Sequence, residues 1–176
     1  MIRIVIPYAG SRGKTRLALG SSERETLSEA MLASVLSVAL EVAETWVVSP
    51  DEPPSSDATW IPDPGGGQGA AVAAALQEIG TGPVLVVNAD LPTLTVDDLL
   101  ALEAATPQPG IAIAAAADGT TNALGLSDTT LFAPLYGKES AARFRAHAER
   151  SGVAAVDIVR PGLQNDVDTV ADLVNA

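Results

Sequence analysis

Hydrophobic and polar positions alternate along this chain in two rhythms, one of strands and one of helices. Arg3 to Pro7 is a short apolar run and predicts a first strand. Leu27, Met31, Val35, Val38 and Val42 recur at helical spacing behind Ser22-Glu23-Arg24-Glu25, which has the spacing of an N-terminal capping box. Thr45 to Ser49 and Thr59 to Pro62 predict strands, separated by the Pro- and Ser-rich stretch Pro50 to Ser56. Ala70 to Ile79 predicts a helix, Pro83 to Ala89 a central strand, and Thr95-Val96-Asp97-Asp98 the cap of a helix ending near Ala105. Gly110 to Ala116 and Ala123 to Ser127 follow as strands, with Asp128 to Pro134 as a loop or short turn. Ser140 to Ser151 predicts a helix, Val153 to Arg160 a strand and Val170 to Asn175 a closing helix. Such β–α alternation predicts an α/β fold: a mostly parallel sheet with helices on both faces, a three-layer sandwich. No repeat or linker interrupts it, so residues 1–176 read as a single domain.

Composition narrows the chemistry. With 176 residues, 47% of them hydrophobic, the chain can bury a core of its own. It has no cysteine, which excludes thiolate catalysis, disulfides and thiolate zinc sites, and its one histidine, His147, excludes a multi-histidine metal site. Any metal is therefore held by oxygen, the preference of Mg²⁺ or Mn²⁺. The formal charge is −12, from 22 acidic and 10 basic residues, and the only lysines are Lys14 and Lys138. Such a surface repels nucleic acid and anionic membranes. It suits either a salt-adapted protein or an ordinary acidic bacterial one. No apolar run approaches the roughly 18 residues that span a bilayer, and Met1 to Ile6 starts a strand rather than a signal peptide. A cytoplasmic protein is expected.

Six stations could carry chemistry. After the first strand comes Gly10-Ser11-Arg12-Gly13-Lys14-Thr15-Arg16, whose backbone could cradle phosphate oxygens while Lys14 and Arg16 neutralise charge. It is not a Walker A loop, and it reads equally well as an exposed basic loop. Gly65-Gly66-Gly67-Gln68-Gly69 precedes a helix; it would admit an anion at the helix N-terminus, with Gln68 placed to read a base edge, or it is a plain strand-to-helix turn. Asp90 ends an apolar strand and is followed by Leu91-Pro92, so it would reach the carboxyl edge of the sheet, where open α/β sheets bind ligands. Gly119 to Ala123 offers small hydroxyl and amide groups to a polar ligand, or is an ordinary loop. Gly137 leads into a helix at Ser140, beside Lys138; that helix start could bind a carboxylate or phosphate, or Ser140 simply caps it. His147, mid-helix, reads as surface or packing.

Asp166 and Asp168, alternate residues of an extended segment, point to one side, although Asp168 or Thr169 could also cap the last helix. Two unit charges about 4 Å apart repel by roughly 4 kcal/mol at an effective dielectric near 20. If Asp90, Asp166 and Asp168 share a site, they stay ionised together only around a cation. A divalent metal at a sheet edge suggests phosphate chemistry.

Taken in order, several pieces resemble one family: Lys14-Thr15-Arg16-Leu17, Asp90-Leu91-Pro92, Thr121-Asn122-Ala123-Leu124, Tyr136-Gly137-Lys138-Glu139-Ser140, and Pro161-Gly162-Leu163 followed by Asp166-Val167-Asp168-Thr169 and Asp172-Leu173. Together they are similar to the 2-phospho-L-lactate or phosphoenolpyruvate guanylyltransferases (CofC/FbiD), which act in the making of the deazaflavin coenzyme F-420. The Asp-x-Asp-Thr piece is shared by many nucleotidyltransferases of this fold; the Thr121 and Tyr136 pieces discriminate.

The resemblance implies a nucleotide-diphospho-sugar transferase-like, Rossmann-like fold, similar to the molybdenum-cofactor nucleotidyltransferases, and a homodimer. It implies Asp90, Asp166 and Asp168 as ligands of Mg²⁺, two ions in all. The basic loop and the glycine run are expected to place Gly10, Arg12, Lys14, Gly67, Gln68 and Gly69 around GTP, with Lys14, Arg16 and Asp90 serving the reaction itself, although Gly67-Gln68-Gly69 departs from the Gly-Leu-Asn pattern of the relatives. The resemblance implies contacts from Thr121 or Asn122, Gly137 and Ser140 to a phosphorylated three-carbon acid: 2-phospholactate, phosphoenolpyruvate or 3-phosphoglycerate. Two Mg²⁺ against three aspartates leave a net charge of only +1, so the basic loop must neutralise the triphosphate. No general base is required, because a phosphate monoester is already an anionic nucleophile near neutral pH. The competing readings are another nucleotidyltransferase of the same fold, acting on a molybdenum cofactor or a sugar phosphate, and a nucleotide-binding protein without turnover.

Overall fold

A computed structural model describes residues 1–10, 20–53 and 57–166. Seven strands and five helices follow one another in the described chain. They are β1 (Arg3–Pro7), α1 (Ser21–Val42), β2 (Glu44–Ser49), β3 (Thr59–Pro62), α2 (Gln68–Ile79), β4 (Val84–Val87) and α3 (Val96–Ala105). Then come β5 (Gly110–Ala115), β6 (Thr121–Leu126), α4 (Ser140–Arg150), β7 (Ala154–Asp157) and α5 (Pro161–Gln164). The strands form one sheet in the order β3-β2-β1-β4-β6-β5-β7. All neighbours are parallel except β6, which runs antiparallel to both β4 and β5.

Alternating side chains divide the core into two layers. Ile4, Ile6, Leu85 and Val87 pack on one face against Leu32, Val35 and Leu36 of α1, Leu99 and Leu102 of α3 and Leu163 of α5. Val5, Val86, Ile113 and Leu124 pack on the other against Val72, Ala75 and Leu76 of α2 and Phe144 of α4. β7 at the sheet edge is exposed along its length, tied to α4 by a bidentate Arg145–Asp157 ion pair.

Several details depart from the sequence pattern. The cap of α1 lies two residues earlier than Ser22–Glu25: the Glu23 carboxylate accepts the Gly20 N–H at 3.0 Å. The buried stripe of α1 is rotated to include Leu32, Leu36 and Ala39, leaving Val38 and Val42 half-buried. β6 starts at Thr121, so Thr121 and Asn122 are strand residues rather than loop residues. The expected strand from Val153 to Arg160 shortens to Ala154–Asp157 and gives way to α5, with Pro161 at its first turn. The closing helix expected at 170–175 lies outside the described residues. Thr95 does cap α3 as its spacing predicts.

Reversal of β6 shapes the chain beyond it. β6 starts at the edge where the parallel strands end and runs away from it. A connection containing one 3-10 turn, Thr129–Leu131, climbs back across α2, so that α4 again starts at the first edge, where the Ala141 N–H donates to the Gly119 carbonyl at 3.2 Å.

Candidate nucleotide and acceptor site

The chain passes from β1 to β2 on one side and reaches β4 on the other, so β1 and β4 flank a switch point, the place where open α/β sheets bind ligands. A cavity of about 220 Å³ opens there. Pro7, Tyr8, Ala9 and Gly10 line it from the end of β1, Asp63 from the end of β3, Gly67 and Gln68 from the start of α2, and Asn88, Ala89 and Asp90 from the end of β4. Gly10, Gly67, Gln68 and Asp90, each singled out in the sequence, thus line one cavity.

The glycine run has a conformational reason. Gly65, Gly66 and Gly67 all have positive φ, at 78°, 87° and 87°, which side chains rarely adopt. Asp63 holds the run's first turn by accepting the Gly65 N–H at 2.9 Å. Gly67 caps α2, whose first N–H groups have no intrahelical acceptors and carry the positive end of the helix dipole. Gly69 answers a different need: a Cβ there would lie 2.7 Å from the Pro134 Cβ.

A chain of polar contacts runs inward from this wall. Gln68 Nε2 donates to Asn88 Oδ1 at 2.6 Å. Asn88 Nδ2 donates to the Thr121 carbonyl at 3.2 Å, and the Asn88 N–H to the Asn122 carbonyl at 2.9 Å. The Thr121 and Ser140 hydroxyls, both buried, are 2.9 Å apart. Asn122 Nδ2 donates to the Gln164 carbonyl at 3.3 Å and to Asp166 Oδ1 at 3.4 Å, while its buried Oδ1 has no hydrogen-bond partner. The end of β4, which leads to Asp90, and Asp166, distant in sequence, are thereby both tied to Asn122 of β6.

The start of α4 is held from within the same region. Gly137 adopts a φ of 105°. Arg143 Nη2 donates to the carbonyls of Tyr136 and Lys138, both at 2.9 Å, and clamps the turn around it. The Ser140 N–H donates to the Gly137 carbonyl at 3.0 Å. Burial pushes the Tyr8 phenol above its ordinary value; a hydrogen bond with Ser28 opposes the rise, and Glu29 and Glu25 add to it. Tyr8 therefore meets the cavity as a neutral phenol.

Arg12, Lys14, Arg16 and Asp168 lie outside the described residues. Sequence reasoning assigned no role to Asn88, Asp63 or Arg143. Asn88 had a signal, a polar residue closing an otherwise apolar strand just before Asp90; Arg143 had none, being one arginine among several on an exposed helix face. Among the described residues, no three His, Cys, Asp or Glu side chains gather at a metal-binding spacing, and no helix is long and apolar enough to cross a membrane.

Residues 10–165 match the MobA-like NTP transferase domain family. The chain is 36% identical to the phosphoenolpyruvate guanylyltransferase of Sphaerobacter thermophilus, over 93% of this chain and 86% of that protein. It is 31% identical to the 3-phospho-D-glycerate guanylyltransferase of Phenylobacterium zucineum, over 99% of this chain and 88% of the relative. Among solved structures it is similar to a nucleotidyl transferase of Methanothermobacter, with a TM-score of 0.72 at 18% identity over 99% of this chain and 95% of the other. It also superposes on the 2-C-methyl-D-erythritol 4-phosphate cytidylyltransferase of Thermus thermophilus, with a TM-score of 0.64 at 20% identity over 98% and 95% of the two chains.

Proposed function

The chain belongs to the MobA-like NTP transferase domain family, together with the phospho-acid guanylyltransferases, and from that premise we propose that it transfers GMP from GTP to the phosphate of a small phospho-acid. The acceptor is phosphoenolpyruvate, 3-phosphoglycerate or 2-phospholactate, and the product belongs to assembly of the deazaflavin coenzyme. An acceptor phosphate oxygen forms a bond to the α-phosphorus of GTP, the α–β anhydride bond breaks, and pyrophosphate leaves with the electron pair.

One observation carries this reading most directly: the switch-point cavity has Asp90 on its wall, and Asp166 lies across Asn122 from the same strand end. Both groups offer hard oxygen donors, and Asn122 Oδ1 is a further buried oxygen without a partner, a donor chemistry that fits Mg²⁺. Asp90 and Asp166, with Asp168, would hold the metal. When bound, Mg²⁺ supplies charge neutralisation and alignment of phosphate oxygens.

The chain's own residues do the remaining work by position and charge. The first-turn N–H groups of α2 favour phosphate oxygens. Lys14 and Arg16, which follow Gly10 in sequence, neutralise the triphosphate. Asp63, its carboxylate fixed by Gly65, presents an acceptor suited to the ring N–H and amino group of guanine, two donors that adenine does not arrange in this way. On the other side of Asn122, Gly137 and the start of α4 take the acid.

The test is pyrophosphate release from GTP and Mg²⁺ with each of the three acids, with ATP and CTP as competing donors. No release with any acid would sink the reading. Asp90→Asn is expected to abolish turnover with little change in Tm; a variant that turned over normally would remove Asp90 from the metal site.

A further inference from the structure

We propose that Asp98 is a positioning residue for the metal-binding carboxylates, a single buried group on which the segments carrying Asp90 and Asp166 both dock. The inference rests on the metal reading of those two aspartates. Asp98 occupies the first turn of α3 and is 3% exposed. Capping a helix does not require this; a capping carboxylate works as well at the surface, and a buried charge must be paired to persist. Here each hydrogen bond of the Asp98 carboxylate reaches one of the two segments.

On the Asp90 side, Asp98 Oδ2 accepts the Thr95 N–H at 3.1 Å and the Thr95 hydroxyl at 2.7 Å. That fixes the end of the loop from Asp90 to Thr95, which is also closed by the Leu94 N–H on the Leu91 carbonyl at 3.1 Å. On the Asp166 side, Asp98 Oδ1 accepts Arg160 Nε at 2.8 Å. Arg160 immediately precedes α5, which leads to Asp166. Gly162 of α5 lies so close that a Cβ would press on Asp98 Oδ2 and lie 2.8 Å from the Thr93 carbonyl oxygen. Leu163, fully buried, joins Leu91, Leu94 and Leu99 in one cluster. The carboxylate-bearing segments leave the sheet from different strands, and Asp98 sets the position of one against the other.

The experiment compares the full-length protein with Arg160→Leu, Arg160→Lys, Asp98→Asn and, as a control, Arg145→Leu. The control breaks an Arg–Asp ion pair between α4 and β7 that is exposed on both sides and away from the site. The primary readout is binding of Mn²⁺ alone, followed by the electron paramagnetic resonance of the free ion, with Tm recorded for each protein. Arg160→Leu is expected to weaken Mn²⁺ binding about tenfold, the scale seen when support for a metal ligand is lost, and to lower kcat in step while the acceptor KM holds. Arg160→Lys is expected to recover most of both. Arg145→Leu is expected to leave Mn²⁺ binding unchanged and to change Tm little, since the pair is exposed.

Should Asp98→Asn fail to fold, the Arg160 variants, whose side chain is 40% exposed, decide the matter. Folded Arg160→Leu binding Mn²⁺ like the unaltered protein overturns the proposal, as does an Arg145→Leu that loses as much binding as Arg160→Leu. Unaltered protein that binds no Mn²⁺ overturns it too. Mn²⁺ binding that is lost in Asp90→Asn and weakened in Arg160→Leu, without guanylyl transfer, would leave the positioning role standing and remove the proposed reaction.

Discussion

Ser140 and Thr121 show how little a residue's type says about its contacts. Both belong to pieces of sequence that suggested hydrogen bonds to a ligand, and both hydroxyls are buried against each other. Ser140→Ala would leave the Thr121 hydroxyl without its partner, at a cost of about 1–3 kcal/mol in stability. It would also loosen the start of α4, so the expected kinetic effect is a raised KM for the acid with KM for GTP unchanged. Steady-state kinetics with each substrate varied in turn checks this, and an effect confined to GTP would place Ser140 on the nucleotide side. Asp90 was legible because an apolar strand closing on Asp-Leu-Pro can point only one way. Asn88 was marked only by its place at the strand end; its work, to accept from Gln68 and donate to Thr121, depends on partners set by tertiary structure.

Elements were legible where burial enforces a period. β1 and the cap of α3 were read residue for residue, since a bounded apolar run and a Thr-x-x-Asp box leave few alternatives. β6 was misread at its start because Thr120-Thr121-Asn122 is polar, yet Thr121 and Asn122 are 2% and 1% exposed. The Thr121 hydroxyl and the Asn122 amide nitrogen are bonded inside the protein, which sequence composition cannot reveal. α5 was hidden because Pro161-Gly162 reads as a break, whereas proline is at home in a first turn. Packing between elements carries its own prediction. α2 meets the connection before α4 at Gly69 and Pro134, so Gly69→Ala is expected to destabilise by about 1–3 kcal/mol through overpacking. Urea unfolding checks it, with a lower midpoint and an unchanged m-value.

Charge acts on the scale of the whole molecule. A net charge of −12 repels itself, and salt screens that repulsion, so Tm is expected to rise between about 0.1 M and 1 M KCl. A flat or falling Tm would show that local pairs outweigh the global field. Alkaline pH acts through two phenols. Burial raises the folded-state values of Tyr8 and Tyr136 above their ordinary value of 10.0. Their stabilising contribution is therefore complete below the unfolded value and is lost as pH climbs above it. Tm measured from about pH 8 to 11 is expected to fall at the alkaline end, and less steeply in Tyr136→Phe. A Tm indifferent to the substitution would take Tyr136 out of the account.

The path from β6 to α4 also sets a height. Six residues of β6 carry the chain about 20 Å down the sheet at roughly 3.3 Å each, and the following connection must regain that distance before α4 starts beside Gly119. The connection is thus a spacer, and its length is a variable separate from the identity of every site residue. A change of its length that keeps Leu131, Phe132 and Tyr136 on the second core layer would spare the sheet while shifting the positive end of α4 relative to the proposed acid site. Two descendants of this domain could then differ in acceptor through loop length alone, with identical residues at 90, 121, 122, 137, 140 and 166.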